Sequence, residues 1–251
     1  MTPPKPKARL FVDAPLAAES RLELDDAQTH YLGHVMRCDA GDGVVLFNGR
    51  DGEWSAVVES FGKNRCSLSL NRQIRGQAKE SGPWLAFAPL KKTATDFLVE
   101  KATELGVTRL CPVFTGRTNS ARVNLDRMRK HAIEAAELSE RLTIPEIAQP
   151  ETLGQLAAGW PKDRLLLMLD ESGGGRPIAE VLTELGAEAG ANPEACGFLS
   201  GPEGGFDGGE LDALVKLDFV TAVGLGPRIL RAETAALAAL ACWQALLGDT
   251  G

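Results

Sequence analysis

Residues Ala195-Cys-Gly-Phe-Leu-Ser-Gly-Pro-Glu-Gly-Gly-Phe-Asp207 decide how this chain is read. A short apolar run of strand length, Ala195–Ser200, passes without a spacer into a loop holding Gly201, Gly204 and Gly205. Asp207, with Glu210 three residues on, has the spacing of a helix-opening capping box. The sequence predicts a helix over Gly209–Lys216, a strand over Phe219–Val223 and a second glycine loop, Gly224-Leu-Gly-Pro-Arg-Ile-Leu-Arg-Ala-Glu-Thr234. A long helix over Glu233–Leu247 follows. Strand, loop, helix, strand, loop, helix is the grammar of parallel βαβ units.

Upstream the alternation continues to Trp84, with strands expected over Trp84–Pro89, Leu110–Phe114 and Arg164–Leu169. Helices are expected over Ala94–Leu105, Leu125–Arg141 and Ile178–Leu185. This gives an α/β domain over 84–251 with a mostly parallel sheet covered on both faces. Before it, Gly76-Gln-Ala-Lys-Glu-Ser-Gly-Pro83 is polar and reads as a linker, 76–83. Residues 1–75 show short strands, Arg9–Val12, Arg21–Leu24, Val44–Phe47, Trp54–Val58 and Arg65–Leu70, with one helix over Ala27–Met36. Turn dipeptides Asn48-Gly49 and Asp51-Gly52 separate the third and fourth. That pattern describes a small β-barrel or sandwich.

The composition is that of an ordinary globular protein, 44% apolar and 24% charged over 251 residues. No apolar stretch approaches the roughly 18–20 residues that span a bilayer, and the start Met1–Lys7 lacks the apolar core of a signal peptide. Five cysteines at 38, 66, 111, 196 and 242 contain no CxxC pair, which argues against disulfides and zinc ribbons and fits a reducing cytoplasm. Of three histidines only His30 and His34 are close, so no metal site is expected. The net charge of −7 argues against nonspecific coating of nucleic acid, but residues 1–75 are neutral, and Arg117, Arg122, Arg127, Arg129 and Lys130 form a basic island. For Arg127, Arg129 and Lys130 a solvated helix face is the expectation.

In an open parallel sheet, ligands bind beyond the carboxyl ends of the strands. Three such loops are rich in glycine. Gly173-Gly-Gly175 carries no phosphate-loop pattern and reads as a flexible connector. The other two bring Glu203, Arg228, Arg231, Glu233 and Thr234 to one sheet edge. Their glycines permit positive φ and close backbone approach, and Gly204 in particular is expected to reject a β-branched residue.

At Gly201-Pro-Glu-Gly-Gly205 and Leu225-Gly-Pro-Arg-Ile-Leu-Arg-Ala-Glu-Thr-Ala235 the sequence strongly resembles the RsmE family. The resemblance extends through Arg9-Leu-Phe-Val12, His30-Tyr-Leu-Gly-His-Val-Met-Arg37, Glu100–Val107 and Pro112–Thr118, nearly the whole chain. It implies a C-terminal SPOUT-type trefoil-knot α/β domain after a PUA-like β-barrel domain. It also implies S-adenosyl-L-methionine-dependent methylation of N3 of a uridine in 16S rRNA, in the cytoplasm, by a homodimer. By the same resemblance the cofactor would be held at Leu199, Gly201, Pro202, Gly204, Gly205, Leu225, Gly226, Leu230 and Thr234. RNA would be met by Arg9, His34, Arg37, Arg117 and Arg141. The family usually carries Glu-Gln-x-Gly-Arg where this chain reads Glu137-Leu-Ser-Glu-Arg141, so Leu138 and Glu140 stand for the amide and the glycine. Position 116, commonly acidic in the family, is Gly116.

The uridine N3 proton must leave before the nitrogen can attack a methyl group. With a pKa roughly two units above neutrality, deprotonation costs about 3 kcal/mol. A cation stabilising charge on the carbonyl oxygens would therefore suffice, without a strong base. Arg231 and Arg228 are candidates for that role, with Glu233 or Glu203 as proton acceptor. An ion pair between Arg231 and Glu233 at a helix start would be the structural alternative. Another knotted RNA methyltransferase, acting on a ribose 2′-hydroxyl, is the competing enzyme reading, and a noncatalytic ribosomal RNA-binding protein is the competing non-enzyme.

Overall fold

The structure is a computed structural model describing residues 6–63, 65–120, 122–187 and 195–248; the first five residues of the N-terminal stretch lie outside these. The chain divides into two compact units, Met1–Glu80 with Ala136–Ile144, and Ser81–Ala135 with Pro145–Gly251. A single boundary at 76–83 therefore does not describe it, because residues 136–144 pack with the N-terminal unit.

That unit holds strands β1 (Ala8–Phe11), β2 (Arg21–Leu24), β3 (Gly43–Phe47), β4 (Glu53–Gly62) and β5 (Arg65–Arg75), and a short helix α1 (Asp26–His30). The sheet order is β1-β3-β4-β5-β2, with β1 parallel to β3 and the other pairs antiparallel. The polar–apolar alternation of β5 puts Cys66, Leu68 and Leu70 in the core, where all three are buried. Both β4 and β5 outrun their alternating segments, and β5 continues through five exposed residues to Arg75.

The reason residues 136–144 join this unit is polar. Arg9 stacks over the Phe47 ring at 3.8 Å, bonds Glu53 at 2.6 Å and donates to the Ala136 carbonyl at 2.7 Å. Arg75 takes the other side of Glu53 at 2.7 and 2.9 Å and donates to the Glu140 carbonyl at 2.7 Å. Glu80 accepts from Arg141 Nε at 2.8 Å and from the Thr143 hydroxyl at 2.7 Å. Burial pushes the Glu53 carboxyl up, but the hydrogen bonds from Arg75 and Arg9 outweigh it and hold the group below its usual value. Burial likewise opposes, and Arg141 with Thr143 and Leu142 overcomes it, at Glu80.

The second unit contains β6 (Trp84–Phe87), α2 (Lys92–Glu104), β7 (Arg109–Phe114), α3 (Leu125–Leu138) up to Ala135, β8 (Glu146–Ile147), β9 (Glu151–Thr152) and α4 (Leu153–Gly159). It continues with β10 (Leu165–Leu169), β11 (Arg176–Pro177), α5 (Ile178–Ala187), β12 (Cys196–Ser200), α6 (Gly208–Leu214), β13 (Val220–Gly224) and α7 (Ala232–Leu247). The sheet runs β11-β13-β10-β12-β6-β7-β8, with β9 beside β7, and every pair is parallel. One core packs α2, α5 and α7 on the sheet through Leu98, Leu182 and Trp243; another packs Leu156, Phe206 and Leu214. The expected five strands and five helices of this unit are present. The short β8, β9, β11 and α4 are additions. Helix α3 stops at Leu138, three residues before the expected end, because Glu140 turns left-handed at φ 59°.

All five cysteines are free thiols. Burial pushes Cys66 up to about 11 and Cys111 and Cys196 up to about 12.

Candidate active site

The carboxyl ends of β13, β10 and β12, neighbours in the sheet, release three loops that enclose a cavity of about 1150 Å³. Each loop is shaped by its own residues. After β12, Gly205 turns left-handed at φ 67° and its N–H closes a turn on the Pro202 carbonyl at 2.9 Å. A Cβ on Gly205 would lie 2.3 Å from Glu171 Oε1, the end of an exposed side chain free to move aside, so it is the positive φ that favours glycine here. Asp207 and Glu210 form the expected capping box at the start of α6. After β13, Gly226 turns at φ 101°, and Arg231 occupies the N-cap of α7 without a side-chain bond.

The loop after β10 corrects the flexible-connector expectation. Gly173 and Gly175 line the cavity, and a Cβ on Gly175 would meet the Val223 carbonyl carbon at 2.6 Å. Only a bare backbone lets Arg176 and Pro177 pair with Val223 and Gly224 of β13. Asp170 fixes the turn by accepting from Ser172 N–H at 2.8 Å and from the Ser172 hydroxyl at 2.9 Å.

The cavity brings together all four residues expected to carry chemistry: Glu203, Arg228, Arg231 and Glu233. Among the described residues Arg231 and Glu233 form no ion pair, so the structural alternative lacks its contact. The oxygen Oε1 of Glu203 accepts from the Lys91 N–H at 3.3 Å, which ties the loop tip to the start of α2. Of the expected cofactor residues, Gly201, Pro202, Gly205, Leu225, Gly226 and Leu230 line the cavity. Leu199, Gly204 and Thr234 do not. Leu199 is fully buried in the core, in register with Ala86 and Met168. Gly204 faces Arg117, whose Nη1 donates to the Gly204 carbonyl at 2.9 Å; a Cβ there would make ordinary 3.7 Å contacts. The positive φ expected of Gly204 belongs to Gly205. Thr234 is exposed, one helical step past Glu233.

Asp170, Glu171, Ser172, Lys91 and Phe206 also line the cavity and were absent from the expected set. The signal for the first three was their place directly after the apolar strand ending at Leu169.

The residues expected to meet RNA divide. Arg117 is exposed in the loop after β7, and His34 and Arg37 are exposed in the N-terminal unit. Arg9 and Arg141 are corrections: their side chains are 12% and 9% exposed and are consumed by Glu53, Glu80 and backbone carbonyls. Gly116 has a local explanation. Its N–H donates to Glu210 at 2.7 Å, and a Cβ would lie 2.8 Å from Asp207 Oδ2, so an acidic side chain would crowd two carboxylates. Arg127 is engaged by Asp96 at 2.7 and 2.6 Å. Among the described residues Glu100, His131 and Glu134 could together hold an ion; they lie outside the cavity lining.

Residues 80–244 match the RNA methyltransferase domain, and residues 24–71 the RNA methyltransferase PUA domain. The chain is 35% identical to the ribosomal RNA small subunit methyltransferase E of Rickettsia conorii, covering 93% of both chains. It is 33% identical to that of Synechocystis, covering 95% of this chain and 78% of the relative. The structure of the Neisseria gonorrhoeae ribosomal RNA small subunit methyltransferase E bound to S-adenosyl methionine superposes with a TM-score of 0.85 at 27% identity, over 97% of this chain and 99% of that one. With both domains matched in order and a third of all residues shared along nearly the whole chain, this protein belongs to the ribosomal RNA small subunit methyltransferase E family.

Proposed function

We propose that this protein transfers a methyl group from S-adenosyl-L-methionine to N3 of a uridine in 16S rRNA. The observation that carries this reading is the cavity itself: two cations, Arg228 and Arg231, beside Glu233, on glycine loops at the carboxyl ends of three adjacent strands. Gly201, Gly205 and Gly226 put backbone without side chains on the cavity wall, which suits close approach of a nucleoside–amino-acid cofactor. Gly201, Gly205, Leu225 and Leu230 would hold it. The cofactor supplies an activated methyl.

The residues of the chain then have three tasks. Arg231, free of an ion pair, stabilises negative charge as it spreads onto the uracil carbonyls. Glu233 accepts the N3 proton. Arg117, bonded to the Gly204 carbonyl, holds the glycine loop in place and leaves charge exposed for a phosphate. The base must be unpaired to present N3. The trefoil knot and the homodimer belong to the same reading. Helix α7 buries Leu240 and Trp243 within its own chain but leaves Leu246 exposed.

The test is methyl transfer to small ribosomal subunits from cells lacking the gene, followed by nucleoside mass spectrometry. 3-Methyluridine is the expected product. A 2′-O-methyl nucleoside would favour the ribose reading, and no transfer with intact RNA binding would favour a noncatalytic protein. Light scattering should give twice the chain mass of 26.7 kDa.

A further inference from the structure

The N-terminal unit has a small cavity of its own, about 300 Å³, between α1 and the tip of the β4–β5 hairpin. We propose that it binds one unpaired base of an RNA strand. The proposal rests on RNA being the substrate, as proposed above, and adds a second point of attachment that the catalytic cavity does not provide.

Four features of the cavity point to a planar polar ring. First, Thr29 is 8% exposed and lines the cavity, and its hydroxyl oxygen is buried without a hydrogen-bond partner among the described residues. Buried hydroxyls are almost always paired, so an orphan on a residue beside a cavity leaves a polar group that an occupant of the cavity could satisfy. Second, the rings of His30 and His34 lie 4.6 Å apart and form one side of the cavity, while Phe61, 37% exposed, lies against Gly33. Aromatic faces on which a base can stack are the common device of single-strand recognition. Third, residues Tyr31–Val35 are wound as a π-helical turn, and Arg37 follows in a left-handed conformation at φ 52°. Both are costly local geometries, and such turns concentrate at functional positions. Fourth, Gly33 keeps the space open: a Cβ there would make ordinary contact with the Phe61 ring at 3.4 Å, and a longer side chain would fill the space.

Size and charge select the occupant. A cavity of about 300 Å³, at the lower bound of small-molecule sites, has room for a single nucleobase. Asp26 on the wall repels a phosphate, so the base enters and the backbone stays outside. Exposed Arg37 and Lys63, next in sequence to the cavity residues Cys38 and Gly62, supply cations at its margin for that backbone.

The experiment uses the full-length protein, a labelled single-stranded RNA oligomer of mixed sequence and the matching duplex, read by fluorescence anisotropy. Phe61→Ala and His34→Ala should each weaken single-strand binding by about tenfold, the scale of one lost stacking partner, and leave duplex binding and S-adenosyl-L-methionine affinity unchanged. Thr29→Val, which keeps the shape and removes the orphan hydroxyl, should weaken single-strand binding at least threefold without lowering the melting temperature. Folded variants that all bind the single strand within twofold of wild type would overturn the proposal, as would a wild-type protein that binds only duplex. Failure of the methyltransferase reading looks different: the variants lose single-strand affinity as expected, and no methylated uridine forms on any RNA.

Discussion

Gly204 and Gly205 are equivalent by residue type, yet only Gly205 has positive φ. Gly205→Ala is therefore expected to cost about 1–2 kcal/mol from the left-handed backbone alone and to lower cofactor affinity at least tenfold. Gly204→Ala should stay within twofold. Isothermal calorimetry on the pair checks both, and equal behaviour would refute the assignment of the turn. The two charged candidates are separable by kinetics. Arg231→Ala should reduce single-turnover rate far more than cofactor affinity, since the charge it stabilises appears only in the transition state. Glu233→Gln should also slow transfer, and its deficit should shrink as pH rises toward the uridine pKa. An unchanged rate for Glu233→Gln at every pH would remove it from the mechanism.

Elements were legible wherever periodicity or a cap had length to act on. The strands and helices of the second unit followed from apolar runs with glycine or capping punctuation. Two-residue strands such as β8 and β11 give no period to read. Helix α4 had a signal, the Thr152–Gln155 capping box, but only seven residues behind it, two of them glycine. The end of α3 was misplaced because charged, helix-favouring residues continue past it; the stop comes from Glu140 in a conformation that suits glycine. It follows that Glu140→Gly should stabilise the protein by roughly 0.5–1 kcal/mol. The Arg75 bond to its carbonyl survives the change. Thermal unfolding should show the rise; a fall would mean that the Glu140 side chain outweighs the strain.

At the scale of the whole molecule, the cavity was largely legible because the carboxyl-end rule for parallel sheets gathers loops that lie far apart in sequence. The joining of residues 136–144 to the N-terminal unit was not, since nothing local marks Arg9, Glu53, Arg75, Glu80 and Arg141 as one network. That network has an acid signature. Glu53 and Glu80 have folded-state pKa values below their unfolded ones, so their contribution is complete above the unfolded value of about 4.3 and is lost as pH falls through the folded ones. The N-terminal unit should accordingly lose stability below about pH 4. Glu53→Gln should cost on the order of 3 kcal/mol at neutral pH, because two arginines lose a buried partner, and should flatten that acid slope. Circular dichroism melts between pH 3 and 7 test this, and an unchanged slope would assign the acid sensitivity elsewhere.

The interleaved partition of the chain also sets a timetable for synthesis. The N-terminal unit cannot be completed when residue 80 emerges from the ribosome, because Ala136–Ile144 supplies partners for Arg9, Arg75 and Glu80. It must wait while the 64 residues from Ser81 to Ile144 are made, about 3–13 s at roughly 5–20 residues per second. During that interval Arg9 and Arg75 lack the carbonyls, and Glu80 lacks the side chains, that residues 136–144 will supply. A nascent chain stalled before residue 136 should be far more open to protease than one stalled well beyond residue 144.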